Sequence, residues 1–331
     1  MPILGSIGAG SARGFGATAG AASRIKAVGG TMTKCGDYMV HTFTSPGTFE
    51  VQAIKADVPA CEQKVDYLVI AGGGAGWGGR AGGGGAGGYR ESHCATVSGC
   101  YTASPAAVGT SIPISVTSYP ITVGAGTPNA GSNGSPSSAF GINTSGGGTA
   151  GGDFPSSPSG RPGGSGGGAG AEGGGSARPG GSGNTGGYSP VEGYPGPPGN
   201  SSNTGSFSGT GSGGGGASES GEYAPSGSQA GNGGAGHGTM ISPVDGVLND
   251  PRGTPGMRYY GGGGGATGQL GTVNWGLHGT GGGGGLGYPA CFGGDPENYG
   301  LRGTGAENTG GGGTSFAQGG SGIVILRYKF K

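Results

Sequence analysis

Gly74, Gly76 and Gly79 stand inside VDYLVIAGGGAGWGGRAGGGG, residues 65–85, and spell GxGxxG directly after an apolar run. In a dinucleotide-binding turn this spelling sets a pyrophosphate on the N-terminus of the following helix. That chemistry requires a helix with apolar residues at i, i+3, i+4 and i+7. The chain continues instead as RAGGGGAGGYRES, which has no such stripe. Glycine also disfavours a helix by ~1 kcal/mol per residue against alanine. Glu91 lies at a tolerable distance to bind a ribose, but no second strand ends on it. With 96 glycines in 331 residues, three fixed glycines match by chance. No nucleotide cofactor is expected, and the Gly-Lys dipeptide of a P-loop occurs nowhere.

The other reactive side chains are scattered. Of five cysteines, Cys94 and Cys100 are spaced to close a small loop, and Cys35 and Cys61 flank the first hairpin. Cys291 stands apart, and an odd count leaves one thiol over. His93 adjoins Cys94, but there is no CxxC and no second clustered histidine, so no metal is expected. The four histidines and 16 acids form no Ser/His/Asp or paired-carboxylate spacing, so the chain reads as non-catalytic. The 16 basic side chains cancel the acids, which gives no footprint for nucleic acid or an anionic membrane. No run of eighteen apolar residues is present, so no membrane insertion is expected. The start, MPILGSIGAGSARGFG, lacks the charged and apolar regions of a secretory signal. Work outside a cell would then need a different exit.

The elements that position these residues are β-strands. YMVHTFTSPGTFEVQAI, residues 38–54, reads as a hairpin around Ser45-Pro46-Gly47-Thr48. Met39, His41 and Phe43 share one face of its first strand, and Phe49 and Val51 share one face of its second. VDYLVIA, residues 65–71, is apolar on both faces, as a central strand is. SIPISVT, residues 111–117, alternates, with Ile112, Ile114 and Val116 on one side. Pro113 places that run at an edge or points outward. YPITVGAG, residues 119–126, and the final GIVILRYKF, residues 322–330, complete the β-material. From 127 to 321 no strand or helix pattern stands out. Residues 1–37 read as an arm, 38–126 as a β-rich base with the first glycine runs, 127–321 as a glycine-rich excursion, and 322–331 as the strand that closes the base. The expected fold is all-β: a small antiparallel β-sandwich or jelly-roll-like base, with negligible α-helix.

A structureless excursion of nearly 200 residues does not suit a compact domain. Polyglycine has an alternative, an extended threefold helix rising about 3.1 Å per residue. Packed side by side, such helices pair their N–H and C=O groups laterally. Fixing a residue costs ~1–2 kcal/mol, and a net hydrogen bond returns ~0.5–1.5 kcal/mol. The bundle therefore needs anchors, which Trp77, Tyr89, Phe140 and Trp275 can supply. Gly263, Gly283 and Gly312, inside the runs, are expected to face neighbouring backbone with no room for a side chain.

HTFTSPGTFEV, then VDYLVIAGGGAGWGGRAGGGGAGGYRES, YPITVGAG, YYGGGGG, NTGGGGTS and GGSGIVILRY follow in fixed order. Over residues 38–328 this series resembles the glycine-rich domain of tailed-bacteriophage tail fibres and adhesins. The resemblance implies a virion protein with a polyglycine II sandwich whose loops contact the host. It implies a place on the virion surface after synthesis in the host cytoplasm, and a homo-oligomer such as a trimer. Residues 1–37 would then join other virion proteins. The host partner would be a surface glycan or an outer-membrane protein. Capsid decoration or a fibre shaft without receptor contact fits the same residues, and an ice-binding polyglycine II protein is a reading from a different class. Tyr and Trp concentrate in recognition surfaces because they give large contact at low entropy cost. Among Pro, Ser and Asn, the candidate receptor contacts are Tyr188, Tyr194, Asn203 and Tyr299. Tyr259, Tyr260 and Trp275 lie beside long glycine runs and are expected to wedge into local cores.

Overall fold

The computed structural model describes residues 23–77, 81–128, 131–152, 159–170, 172–173, 178–199, 201–202, 210–224, 230–244, 246–248, 256–266, 303–314 and 317–331. Eleven strands lead from the start into the glycine region: β1 Ile25–Val28, β2 Thr31–Cys35, β3 Tyr38–Phe43, β4 Gly47–Ile54, β5 Lys64–Ile70, β6 Tyr89–Ser92, β7 Ala107–Val108, β8 Ile112–Pro113, β9 Ser118–Thr122, β10 Ser137–Ala139 and β11 Ile142–Thr144. Within the excursion come β12 Glu172–Gly173, β13 Ser201–Ser202, β14 His237–Thr239, β15 Val247–Leu248 and β16 Arg258–Tyr260, and β17 Ile323–Lys329 ends the series. The one helix among the described residues, α1 Ala95–Ser98, is a single turn. The fold is all-β, as the period-2 runs require.

Two sheets make the base. One is five-stranded in the order β1-β4-β9-β10-β11; the other is seven-stranded, β2-β3-β17-β5-β6-β7, with β8 paired to β5. The last strand enters the middle, antiparallel to both β3 and β5. Phe49, Val51 and Ile25 of the first sheet meet Met39, Phe43, Val65, Tyr67, Val324, Leu326 and Tyr328 of the second. The reverse face of the seven-stranded sheet is covered too, with Val40, Leu68, Ile70, Ile323 and Ile325 packed on Ala217, Ile241 and Tyr260. Burial on both faces is why Leu68–Ile70 of β5 and Ile323–Leu326 of β17 are apolar without alternation. His41 lies between the sheets, with Nδ1 donating to the Gly29 carbonyl at 2.7 Å and Nε2 3.2 Å from the Tyr328 hydroxyl.

Three expectations are corrected. Residues 23–37 are not an arm, since β1 pairs with β4 and β2 with β3; residues 1–22 lie outside the described residues. The strands are short, and the turn between them uses Gly29 and Gly30, both at positive φ. The excursion also returns a hairpin to the base, β10–β11 beside β9. Its turn, Phe140-Gly141, has positive φ at both residues, the geometry that fits the strand twist but is usually announced by Asn-Gly. Finally, Val116 is 59% exposed, while Ile114 is buried. The alternating run breaks after β8, where Pro113 lies outward as its missing N–H requires.

Strand β5 passes without a turn into residues 71–76, and residues 81–88 lead back into β6. The glycine region thus continues the strand axis of the base. Its hydrogen bonds repeat every three residues. Gly82, Gly85 and Gly88 donate to Gly151, Gly148 and Ser145, whereas Gly83 and Ala86 donate to Ser212 and Gly215, and Gly84 and Gly87 to Gly313 and Gly310. The carbonyls of the same run accept from Ala71 and Gly74, from Ser165 and Gly168, and from Gly264. Residues 81–88 are therefore the axis of a hexagonal lattice with neighbours on six sides. Three residues per turn and no bonds within the run define the polyglycine II helix. Gly263 and Gly312 sit in this lattice. A Cβ on Gly263 would lie 2.7 Å from the Gly215 oxygen and closer still to that of Gly214, and one on Gly312 would lie 2.7 Å from the Gly84 carbonyl carbon. Gly283 is outside the described residues.

Candidate recognition surface

Gly74 and Gly76 of the GxGxxG spelling lie in the lattice, and Gly79 is outside the described residues. They donate to the Gly85 and Ala317 carbonyls, so the N–H groups of Gly74 and Gly76 are not free to cradle phosphate. Cys35, Cys61, Cys94 and Cys100 are free thiols, and Cys291 is outside the described residues. The Thr96 hydroxyl, 3.1 Å from the Cys94 sulfur, holds that thiol below its ordinary value. No group of three His, Cys, Asp or Glu is placed to hold a metal ion among the described residues. A hollow lined by Tyr67, Tyr89, Arg90, Glu91 and Pro190 has a volume of about 10 Å³, room for one water at most.

The acids with most partners are sealed inside. Asp66 accepts from Ser92 Oγ (2.8 Å) and Ser111 Oγ (2.7 Å) on one oxygen, and from Ser98 Oγ (2.6 Å) and Cys94 N–H (2.7 Å) on the other. Arg327, its cross-strand neighbour, donates to the Ser98 and Ile241 carbonyls and lies under Tyr101 and Tyr38. Glu91 accepts from Tyr89 OH and Thr239 Oγ1, both at 2.6 Å, and from Ser104 N–H at 3.1 Å. Both carboxylates are within 1% of complete burial, out of reach of a substrate. They fasten β5, β6, α1, β17 and residues 239–241 into one seam under the lattice.

Titration of this seam has a defined sign. Burial holds His237, packed 5.0 Å from the Tyr89 ring, at about 4, and burial lowers His41 as well. The unfolded chain takes up these protons first, near 6.5, so stability falls as pH drops from about 6.5 toward 4. Glu91 acts oppositely. Burial raises its carboxyl, the folded state takes its proton first, and stability rises as pH falls from that raised value toward the ordinary carboxylate range. The imidazole share is isolated by His237→Gln. Between pH 7 and pH 4 the parent should lose about 3 kcal/mol more than the variant in urea melts, at 1.4 kcal/mol per pKa unit. Equal losses would mean that His237 is not buried neutral.

Outside the seam, one loop is built as firmly as the core. Residues 184–194 leave the lattice where Asn184 donates its N–H to the Gly164 carbonyl. Asn184 has φ 54, which Asn tolerates better than most residues. Its side-chain oxygen accepts from the Tyr188 and Glu192 amides at 3.1 and 3.2 Å, and its amide donates to the Tyr188 carbonyl at 3.0 Å. Glu192, fully buried, accepts from Gly186 N–H at 3.0 Å and Ser145 N–H at 2.8 Å. Its own carbonyl accepts from Tyr89 N–H. The loop is thus tied to both β6 and the lattice.

This loop presents two of the expected contacts. Tyr188 is half-buried with the Arg90 guanidinium 4.2 Å from its ring centroid. Tyr194 projects to solvent at 37% exposure, while its backbone bonds to Gly216 and Gly166. Tyr223 stands at 47% exposure on an adjoining run, joined through Gly221 N–H and the Pro195 carbonyl, and Val191 of the loop is exposed as well. Tyr260, expected in a local core, is fully buried. Asn203, Tyr299 and Trp275 lie outside the described residues. The sequence did not point to Asn184, Glu192 or Arg90 as the supports. Asn184 and Glu192 are eight residues apart, and only the turn at Gly186-Gly187 brings them together.

The glycine-rich domain family matches this chain over residues 44–329, and the chain belongs to that family. No curated protein and no solved structure matches it.

Proposed function

We propose that the protein is a non-catalytic virion structural protein of a tailed bacteriophage, a tail fibre or fibre-tip adhesin whose loops contact the host surface. The observation that carries the reading is the loop 184–194, fixed by Asn184 and Glu192 on a laterally hydrogen-bonded lattice with Tyr194 turned to solvent. A receptor that meets a preorganised loop loses less entropy on binding than one that must order it. The order of β and glycine blocks along the chain, similar to that of phage fibres, supports the same assignment. Exposed tyrosines suit the flat faces of a surface glycan and the loops of an outer-membrane protein alike.

Purified protein should compete with the particles that carry it for adsorption to host cells. Tyr194→Ala combined with Tyr223→Ala should lower that competition at least tenfold and leave the melting temperature within about 2 °C, since exposed substitutions fall within ~0.5 kcal/mol. Undiminished competition by the double variant would remove this face from the contact. Absence of the protein from purified particles, tested with a labelled antibody, would overturn the reading itself.

A further inference from the structure

The chain is neutral overall but is not evenly charged. All its lysines, Lys26, Lys34, Lys55, Lys64, Lys329 and Lys331, lie in the first 64 residues or the last three. The strand registers gather them at one end. Lys329 is opposite Tyr38, and Cys35 is opposite Tyr38 from the other side. Arg24 donates to the Phe330 carbonyl and accepts from Lys55, which places both beside the end of β17. Strand β5 begins there at Lys64 and runs away toward the lattice. Lys34 and Lys331 lie astride Phe330, 5.9 and 5.4 Å from its ring centroid.

We infer that this pole, the end of the sandwich away from the glycine lattice, is a docking surface for an acidic protein. The inference rests on the proposed function, in which loops at the lattice contact the host and leave the base to face the rest of the particle. The pole holds the six lysines and Arg24 against Asp37, Asp57 and Glu62, which leaves nine cations and thirteen acids for the rest of the chain. Lys26, Lys34, Lys55 and Lys331 are exposed, as are Asp37 and Asp57. Glu62 is engaged by Arg24 at 2.6 Å and Lys329 at 3.9 Å. A cationic face of this kind raises the encounter rate with an acidic partner and fixes which end docks. Seven cations interrupted by three acids fit a mixed protein surface. A phosphate backbone, of one sign throughout, would meet those acids as repulsion.

The lysine distribution supplies the test. Acetylation with a lysine-selective reagent removes charge at this pole alone, because no lysine occurs from 65 to 328. Full-length protein is titrated with poly-L-glutamate at 50 mM and 300 mM salt. The unmodified chain should bind at low salt and weaken at least tenfold at high salt. Acetylation, or Lys34→Glu with Lys55→Glu and Lys331→Glu, should weaken binding at least tenfold, with Arg161→Glu within twofold of the parent. No binding at 50 mM salt, or an equal loss in Arg161→Glu, would overturn the inference. Tighter binding of duplex DNA or phosphatidylserine vesicles than of polyglutamate would overturn it as well. Acetylated protein should still compete for host adsorption, since the loops carry no lysine. Failure of the unmodified chain to compete counts against the adhesin reading and leaves the polyglutamate result standing.

Discussion

Gly83→Val should leave no folded protein at 25 °C, whereas Gly109→Ala should melt at or above the parent temperature. Gly83 lies on the run with six neighbours. A Cβ there would overlap the Gly264 carbonyl oxygen and sit 2.5 Å from its carbon and 2.9 Å from the Gly214 nitrogen. These are backbone atoms and cannot swing aside as a side chain would. Relief requires the 261–266 run to move, which breaks Gly264 N–H to Gly84 and Gly214 N–H to Gly264. Each lost bond leaves a buried polar group unpaired, at about 1–3 kcal/mol. Overpacking adds about 1–3 kcal/mol, and valine adds bulk and a fixed χ1 to the overlap. The total, on the order of 5 kcal/mol or more, is comparable with the whole stability of a domain. Gly109 is exposed with nothing within 4 Å of its would-be Cβ, so alanine there acts only on the unfolded chain and gains about 0.4–1 kcal/mol. Circular dichroism melts and protease resistance read both. A Gly83→Val protein that melts like the parent would mean that the runs do not pack as a lattice.

The period of each segment decided how far it could be read in advance. Met39, His41 and Phe43 alternate against Val40, and all of that face is found between the sheets. Residues 323–326 are apolar in succession and enter the sheet centre, where both faces are covered. Glycine has no side-chain period, so the runs could be assigned a helix type but not their neighbours. Parallel and antiparallel contacts occur together: residues 83 and 86 match 212 and 215, while 84 and 87 match 313 and 310. Nothing in a string of glycines distinguishes the two. The short strands β1 and β2 were hidden for another reason. TMTKC is an exposed edge whose pattern follows from pairing with β3, and only the Gly29-Gly30 turn brings it there. The candidate loop was legible in its tyrosines and not in its supports. Aromatics among Pro and Ser announce a surface, but Glu192 reads as a solvated charge until Gly186 and Ser145 are seen to donate to it.

Asp66→Ala should cost about 3–5 kcal/mol, because it removes a buried charged acceptor that serves four donors, and a hydrogen bond to a charged group contributes about 1.5–3 kcal/mol. Asp66 sits on β5 with no exposure and collects three serine hydroxyls and one backbone amide. The serines come from β6, α1 and the approach to β8, so one carboxylate joins segments up to 45 residues away. Alanine leaves the Cys94 N–H without the Asp66 acceptor and the Arg327 guanidinium without its neighbouring charge. Asp66→Asn separates the two losses. Its remaining oxygen can keep the Cys94 amide and Ser98 hydroxyl, while Ser92 and Ser111 rotate to accept from the new NH₂. Only the charge and its stronger hydrogen bonds are then lost, so asparagine should cost about half as much as alanine, since charge-assisted bonds are roughly twice as strong as neutral ones. Urea melts at pH 7 measure both, and the Asp66→Ala transition should also expose the seam, read as faster hydrogen exchange at Ser98 and Arg327. Equal costs for alanine and asparagine would show that the charge stabilises the seam and the hydrogen-bond geometry does not. A cost below about 1 kcal/mol for alanine would mean that Asp66 does not hold β6, α1 and the approach to β8 onto β5, because such a value belongs to an exposed polar group.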